Sequence, residues 1–456
     1  MKKKLLAGLL AVAMVATMFA GCGKKEEKVI NVMAFTDEVP KMVQAYLDAH
    51  PELGYTMNET IVATTDGAYQ PALDEMLKNK DEAPDLYALE AAFVLKYTQG
   101  TASEFAATYD SLGIETANAL KAAEIATYAS EVGTRPSDGA VVALPYHATG
   151  GCFIYRRSLA KDTWGTDDPA VISEKIGGGS QSWDQFWVAA EELKAKGYGI
   201  ISGDGDIWHA IENSSDQAWV VDGKLTIDPK REALLDISKK LKDNNYHNET
   251  QDWQDAWFAD MKGEGDKPIF GFFGPAWLIN YTMGDNCGND KNTPEPEGTF
   301  GDWAVTNSPV GFCWGGTYVA SSKSAVENMS DEKKGVVADI IKWITLDTDE
   351  NSLQYQWANG TFNGGDGSTK DTVASAVVME KSDGATGFLG GQNMFEYFVP
   401  AGDYATGANM TQYDEAINGC WRDAVRAYVA GEVDRAGAIK KFKDEVKSVY
   451  ADIVVE

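Results

Sequence analysis

Short apolar runs alternate with segments of helical periodicity through most of the chain, and that alternation confines it to a mixed α/β architecture of helix-covered sheets. Val29-Ile30-Asn31-Val32-Met33-Ala34-Phe35 is the first such run. Thr36-Asp37-Glu38 then opens a helix whose Val39, Met42, Val43, Tyr46 and Leu47 share one face until His50-Pro51 ends it. Residues 85–89, 141–144, 198–201 and 269–273 are further buried-strand candidates. Strands spaced by helices of this length predict parallel βαβ units in sheets covered on both faces. Ser182-Trp183-Asp184-Gln185 reads as a capping box in which Ser182 bonds the Gln185 amide, with Phe186, Ala189, Ala190 and Leu193 on the apolar face and Gly197 as the stop. The chain closes with a helix over 421–429, a break at Gly431, and Ile439, Phe442, Val446, Val449 and Ile453 at helical spacing. No internal repeat is visible, which argues against a solenoid or propeller.

At 456 residues the chain is long enough for about three domains of roughly 150 residues. A hydrophobic fraction of 44% with 13 Trp, 19 Tyr and 17 Phe excludes disorder along the whole length. Forty Lys and Arg against 69 Asp and Glu give a net charge of -29. Such an excess repels phosphate backbones and anionic headgroups, so no nucleic-acid partner is expected and a neutral or cationic one is favoured.

Met1-Lys2-Lys3-Lys4 followed by the uncharged apolar run to Phe19 reads as a secretory signal peptide. Phe19-Ala20-Gly21-Cys22 resembles a bacterial lipoprotein cleavage and lipidation site. The resemblance implies removal of residues 1–21 and acylation of Cys22 with palmitate-type chains. At about 0.8 kcal/mol per buried methylene, several chains anchor stably where one is marginal. Residues 22–28, with the polar Gly23–Lys28, form a tether, and the expected location is the extracytoplasmic face of the cell membrane. Cleavage takes three lysines and no acid, so the folded part is more acidic still. Of the remaining cysteines, Cys152, Cys287, Cys313 and Cys420, none shows CxxC spacing, so no zinc site is expected; three pairings are open, with Cys287–Cys313 the first expectation.

Motif-borne catalysis finds no support. Only His50, His147, His209 and His247 are available as imidazole bases, no HExxH, GxSxG or GxxxxGK[ST] occurs, and Gly177-Gly178-Gly179 lacks the GxGxxG spacing. A glycoside hydrolase needs only two carboxylates, and that alternative stays open. Asp204-Gly205-Asp206 and the 285–290 segment lack the closing bidentate Glu of a calcium loop and read as solvated turns.

Six blocks in order along the chain resemble the extracellular solute-binding proteins of family 1, the carbohydrate-type components of ABC importers. They are Phe35-Thr36-Asp37-Glu38 with His50-Pro51-Glu52; Ala83-Pro84-Asp85-Leu86-Tyr87; Ala143-Leu144-Pro145-Tyr146 running into Phe153-Ile154-Tyr155-Arg156-Arg157; Ser182-Trp183-Asp184-Gln185-Phe186; Gly274-Pro275-Ala276-Trp277; and Ser308-Pro309-Val310-Gly311 with Gly315-Gly316-Thr317-Tyr318-Val319. Arg156-Arg157, Cys313-Trp314 and the long 284–301 segment depart from the family pattern. The resemblance implies two α/β lobes of the type II periplasmic-binding-protein kind, joined by crossover segments around a ligand cleft. One lobe is expected at 29–148 plus 308–350 and the other at 149–307 plus 351–456. It further implies a non-enzymatic monomer without cofactor or metal, a carbohydrate ligand, an ABC permease partner, and membrane contact through the lipid anchor alone. A polyol or other small solute is the alternative ligand within the same fold.

A sugar cleft needs aromatic platforms ringed by acids and amides. The resemblance points to Trp277 as a stacking residue, and Trp208, Trp314, Trp357 and Phe395 are further platform candidates, each with core packing as its competing role. Trp183, Trp187 and Trp343 sit on helix patterns and are assigned to packing. Asp37, Glu38, Glu90 and Asp206 are the candidate hydroxyl partners, Asp37 having a helix N-cap as its alternative. Tyr146 and His147 fall at the first crossover as candidates to line the cleft, His147 having a hinge role without ligand contact as its alternative.

Overall fold

The computed structural model describes residues 28–288 and 298–456; the expected signal peptide, Cys22, the expected tether up to Glu27 and Asn289-Asp290 lie outside the described residues. Eight strands of three or more residues are found among the described residues: β1 Val29–Ala34, β2 Thr56–Ile61, β3 Leu86–Glu90, β4 Ala143–Pro145, β5 Cys152–Arg156, β6 Gly271–Gly274, β7 Trp303–Thr306 and β8 Thr317–Ala320. The first sheet has the order β2-β1-β3-β8-β4 and the second β6-β5-β7.

Each sheet is covered on both faces because its residues alternate between two cores. In the first sheet Ile30, Val32, Ala34, Leu86, Ala88, Leu144 and Val319 face the helices Glu38–Ala49 and Asp331–Thr345. Met33, Tyr87, Leu89, Ala143, Tyr318 and Ala320 face the other way. In the second sheet Phe153, Tyr155, Phe273 and Ala304 belong to one core, whereas Cys152, Ile154, Phe272, Trp303 and Val305 belong to another.

The parallel expectation holds for only part of this arrangement. β1 runs parallel to β2 and β3, but β8 is antiparallel to both β3 and β4, and β5 is antiparallel to β6 and β7. β6 and β7 run in the same direction on opposite sides of β5, with 28 residues between them in the sequence. The expected strand at 198–201 is reduced to one bridge, Gly199 with Ile269. Its amides go to Pro268 and Tyr246 carbonyls, wedging the segment between two loops. The 141–144 run splits at Val142: Ala140–Val141 folds back on Thr134–Arg135 and Ala143–Pro145 joins the large sheet.

Two further expectations are corrected. The helix predicted from the capping box begins at Asp184, and Ser182 Oγ accepts from the Asp184 amide rather than from Gln185, because Trp183 occupies the cap position. Cys287 and Cys313 are not paired; all four described cysteines are free, with Cys287 facing the Met261 carbonyl in the core behind the second sheet and Cys313 facing Asn213.

Two segments connect the sheets, and a third, later in the chain, pairs with one of them. Residues 146–151, between β4 and β5, run beside residues 312–316, between β7 and β8: Gly151 N donates to Phe312 O at 2.8 Å and Trp314 N to Thr149 O at 3.0 Å. Residues 372–374 form the third, with Ala374 N donating to Tyr146 O at 3.0 Å and Thr372 Oγ1 to Ala148 O at 2.7 Å.

The C-terminal helices Asp414–Val429 and Arg435–Val449 close the larger core. Trp421 meets Phe442 edge-on at 5.0 Å and Trp219 at 5.9 Å, and Trp219 carries the Arg231 guanidinium 4.5 Å above its ring. Trp421 is fully buried. Trp421→Ala is therefore expected to lower the unfolding free energy by about 3–5 kcal/mol, measured by urea denaturation followed by far-UV circular dichroism; a loss below 1 kcal/mol would mean that the two helices do not complete this core.

Candidate ligand-binding site

A cavity of about 240 Å³ lies where the first sheet, the 312–316 crossover and the C-terminal helix meet. The first sheet contributes Glu90 at the end of β3 and Tyr318 on β8. The crossover contributes Trp314 and Gly315, the helix Trp208–Asn213 contributes Trp208, His209, Glu212 and Asn213, and the helix Asp414–Val429 contributes Asp414, Glu415, Asn418 and Arg422.

Local backbone geometry sets the aromatic wall. Gly315 has φ +80, a left-handed conformation that glycine adopts without steric penalty. A Cβ there would stand 3.2 Å from the Trp277 indole nitrogen, so glycine also permits that ring's approach. Trp277 Nε1 donates to Trp314 O at 2.8 Å, and Ala91 N to Gly316 O at 2.8 Å. The turn so held presents Trp314, which stacks on His209 at 4.5 Å and 23° and meets Trp277 edge-on at 4.7 Å. Trp253, 48% exposed, lies parallel to Trp277 at 6.1 Å and edge-on to Trp314 at 5.8 Å. Trp253 has φ +67, a costly conformation for a bulky residue, of the sort that clusters at functional sites.

The polar wall is acidic. Glu212 bonds His209 Nδ1 at 3.2 Å and Asn418 Nδ2; burial works upward on its pKa, but these bonds and the Arg231 charge hold it below the usual carboxylate range. Arg422 is paired with Asp252. Glu90 accepts from Ala92 N at 2.8 Å, yet burial, with Glu415 adding, pushes it up to about 7. Asp414 rises to about 7 through burial and then the Glu212 charge, and burial also raises Glu415.

Of the residues singled out from the sequence, Glu90, Trp208 and Trp314 line this cavity, and Trp277 stands directly behind Trp314. Trp208 is only 2% exposed and is also part of the larger core. Tyr146, His147 and Trp357 gather at the crossovers instead, with Tyr146 edge-on to His147 at 4.4 Å and to Trp357 at 5.4 Å. His147 Nε2 accepts from Thr317 N at 3.3 Å, and burial lowers its pKa to about 4. Glu38 is coupled electrostatically to Asp371 and Tyr281; burial first, then Asp37, raises it to about 7. Asp37 is exposed, ion-paired with Lys41 at 2.6 Å and makes no side-chain cap bond.

Asp206 and Phe395 are packed away from the cavity. Asp206 is buried and accepts from Ser202 N, Gly203 N and, at 2.8 Å, Trp257 Nε1, so its turn is not the solvated one expected. Phe395 lies in the core behind the second sheet. Glu212, Trp253, Asp414, Glu415, Asn418 and Arg422 were not singled out. The signal for the helix residues is a polar stripe, 415, 418 and 422, running beside the apolar Ile417, Trp421 and Val425. No group of three or more His, Cys, Asp or Glu suited to a metal occurs among the described residues, and none of their helices is long and apolar enough to cross a membrane.

The architecture has many solved counterparts. The chain is similar to an extracellular solute-binding protein of family 1, with a TM-score of 0.72 at 17% identity over 92% of this chain and 99% of that one. It is also similar to the galacto-N-biose/lacto-N-biose I-binding protein of a Bifidobacterium longum ABC transporter, solved with lacto-N-biose (TM-score 0.60, 16% identity, 93% and 96% covered). The GacH receptor of Streptomyces glaucescens, solved with acarbose, matches with a TM-score of 0.59 at 15% identity over 93% and 99%. No protein-family model matches the sequence, and no curated protein does. The fold is that of the two-lobed solute-binding proteins of family 1.

The raised carboxyls carry a stability signature. Glu38, Glu90, Asp206, Asp371 and Asp414 each sit near 7 in the folded chain, all primarily through burial. Between about pH 4.5 and 7 the folded state then holds protons that the unfolded state has released, so stability falls as pH rises. His147 and His247, lowered by burial, oppose this only below about 6.5. Calorimetry of the unliganded protein should give a lower Tm at pH 7.5 than at pH 6.5; a Tm rising over that interval would contradict these assignments.

Proposed function

We propose that the chain is an extracytoplasmic substrate-binding lipoprotein of an ABC importer, which captures a carbohydrate, an oligosaccharide, by closing its lobes and hands it intact to the permease. The observation that carries this reading is the Trp314 wall, with Trp277 and Trp253 behind and beside it, in a cavity that also presents carboxyls and an amide. A pyranose offers an apolar face for an indole and hydroxyls for the acids. Stacking at about 1 kcal/mol per ring falls short of the roughly 8 kcal/mol of a micromolar complex, so charged hydrogen bonds at about 1.5–3 kcal/mol each supply the remainder. The lacto-N-biose, acarbose and maltose held by proteins of similar fold support a saccharide ligand.

In this reading the lobes are residues 29–148 plus 308–350 and residues 149–307 plus 351–456, and the paired crossovers are the hinge. A ligand touching both lobes prefers the closed state, and only that difference in affinity drives closure. Residues 1–21 export the chain, and acylated Cys22 anchors a monomer through the 22–28 tether. The protein binds its sugar without cleaving it.

A thermal-shift screen of residues 23–456 against mono- and oligosaccharides tests this. A ligand at 100 times its Kd stabilises the fold by about 2.7 kcal/mol. Trp314→Ala, shown to be folded by circular dichroism, should weaken the responding sugar by tenfold or more, and chromatography should recover the sugar unaltered. No response to any saccharide, or a cleaved product, would overturn the proposal.

A further inference from the structure

We propose that the carbohydrate taken by this cavity carries a protonated amine, and that its ammonium group sits between Glu90 of one lobe and Glu415 of the other, beside Asp414. The inference rests on the carbohydrate reading above and names the substrate class within it.

Four carboxyl side chains line the cavity, Glu90, Glu212, Asp414 and Glu415, against the cationic Arg422 and the imidazole of His209, and no lysine lines it. Both bases are already engaged, Arg422 with Asp252 and His209 with Glu212. Arg231 lies behind the cavity and its charge reaches Asp414 and Glu212. Among the described residues, Glu90 and Glu415 thus have no cationic partner. They also line a second cavity of about 300 Å³ on the far side, with Tyr69 and Phe93, so this acid pair stands at the junction of two open spaces.

An independent observation points to a missing donor. Asp414 is 5% exposed, lines the first cavity, and bonds Thr411 through Oδ1, while its Oδ2 has no hydrogen-bond partner among the described residues. A buried carboxylate oxygen without a donor is costly, and an ammonium has three N–H groups to give. The hydroxyls of a neutral sugar can donate to these oxygens but leave the negative charges facing one another. The indoles of Trp208 and Trp314 line the same space, and an ammonium is attracted to an aromatic face. Because Glu90 and Glu415 come from opposite lobes, the cation would favour the closed state through both.

Burial displaces Glu90, Asp414 and Glu415 upward, with Arg231 only partly offsetting it at Asp414, which agrees with a cavity short of positive charge. A bound ammonium reverses that balance and releases protons.

The test is isothermal titration of residues 23–456 at pH 7 with glucosamine, galactosamine, mannosamine and the β-1,4-linked glucosamine disaccharide. Each is compared with its N-acetylated form and its parent hydroxyl sugar. At least one amine should bind tenfold or more tightly than both counterparts, and Glu90→Gln and Glu415→Gln should each bring that ratio towards one. Circular dichroism and Tm confirm that the variants fold. Neutral or acetylated sugars binding as tightly as the amines would overturn this inference alone, as would a preference that survives in both folded variants. No binding by these sugars or any saccharide in the wider screen would remove the carbohydrate reading and this inference with it.

Discussion

The pairing of the 146–151 and 312–316 crossovers is the constraint on which the rest depends. The Trp314 amide to the Thr149 carbonyl and the Thr149 hydroxyl to the Gly315 carbonyl, both at 3.0 Å, tie the two passages together midway between the sheets. That tie fixes the Gly315 turn, the turn lets the Trp277 indole reach the backbone, and the indole in turn sets Trp314 at the cavity. In the proposed reading, hinge and binding surface are made from one set of bonds, which would couple ligand contact to lobe geometry.

The acidity of the chain acquires a local meaning from this geometry. A net charge of -29 could be a diffuse solubilising surface, but several carboxyls are buried at or near the cleft, where water cannot screen them. Groups held there partly protonated are destabilising for the empty protein and available to a ligand that satisfies them. Asp206 is raised as far by burial, but it meets three donors in its own turn and core and offers nothing outward. The distinction between the two kinds of acid is one of partners, not of residue type.

That distinction also explains how far the sequence could be read. Val29–Ala34, Leu86–Glu90 and the helix Glu38–Ala49 follow from local periodicity, because one face of each is continuously apolar. The antiparallel second sheet does not, because which strands meet across β5 is decided by where the long passages cross. Trp277 and Trp314 were legible through the Gly-Pro and Gly-Gly turns beside them, whereas Trp253 has no flanking glycine and owes its exposure to a left-handed backbone that no local pattern announces. Glu415 was hidden for another reason: it begins a helix whose apolar face is a sufficient account of the segment, and its cavity-facing role emerges only when β3 is brought opposite.

The account is tested most directly by fluorine NMR of the protein with all 13 tryptophans replaced by 5-fluorotryptophan and resonances assigned by single Trp→Phe variants. On addition of a saturating saccharide, the Trp314, Trp277 and Trp253 signals should move while that of the deeply buried Trp421 stays fixed. Binding that leaves those three unmoved and shifts instead Trp343, on the outer groove of the first lobe, would contradict a sugar held between the lobes.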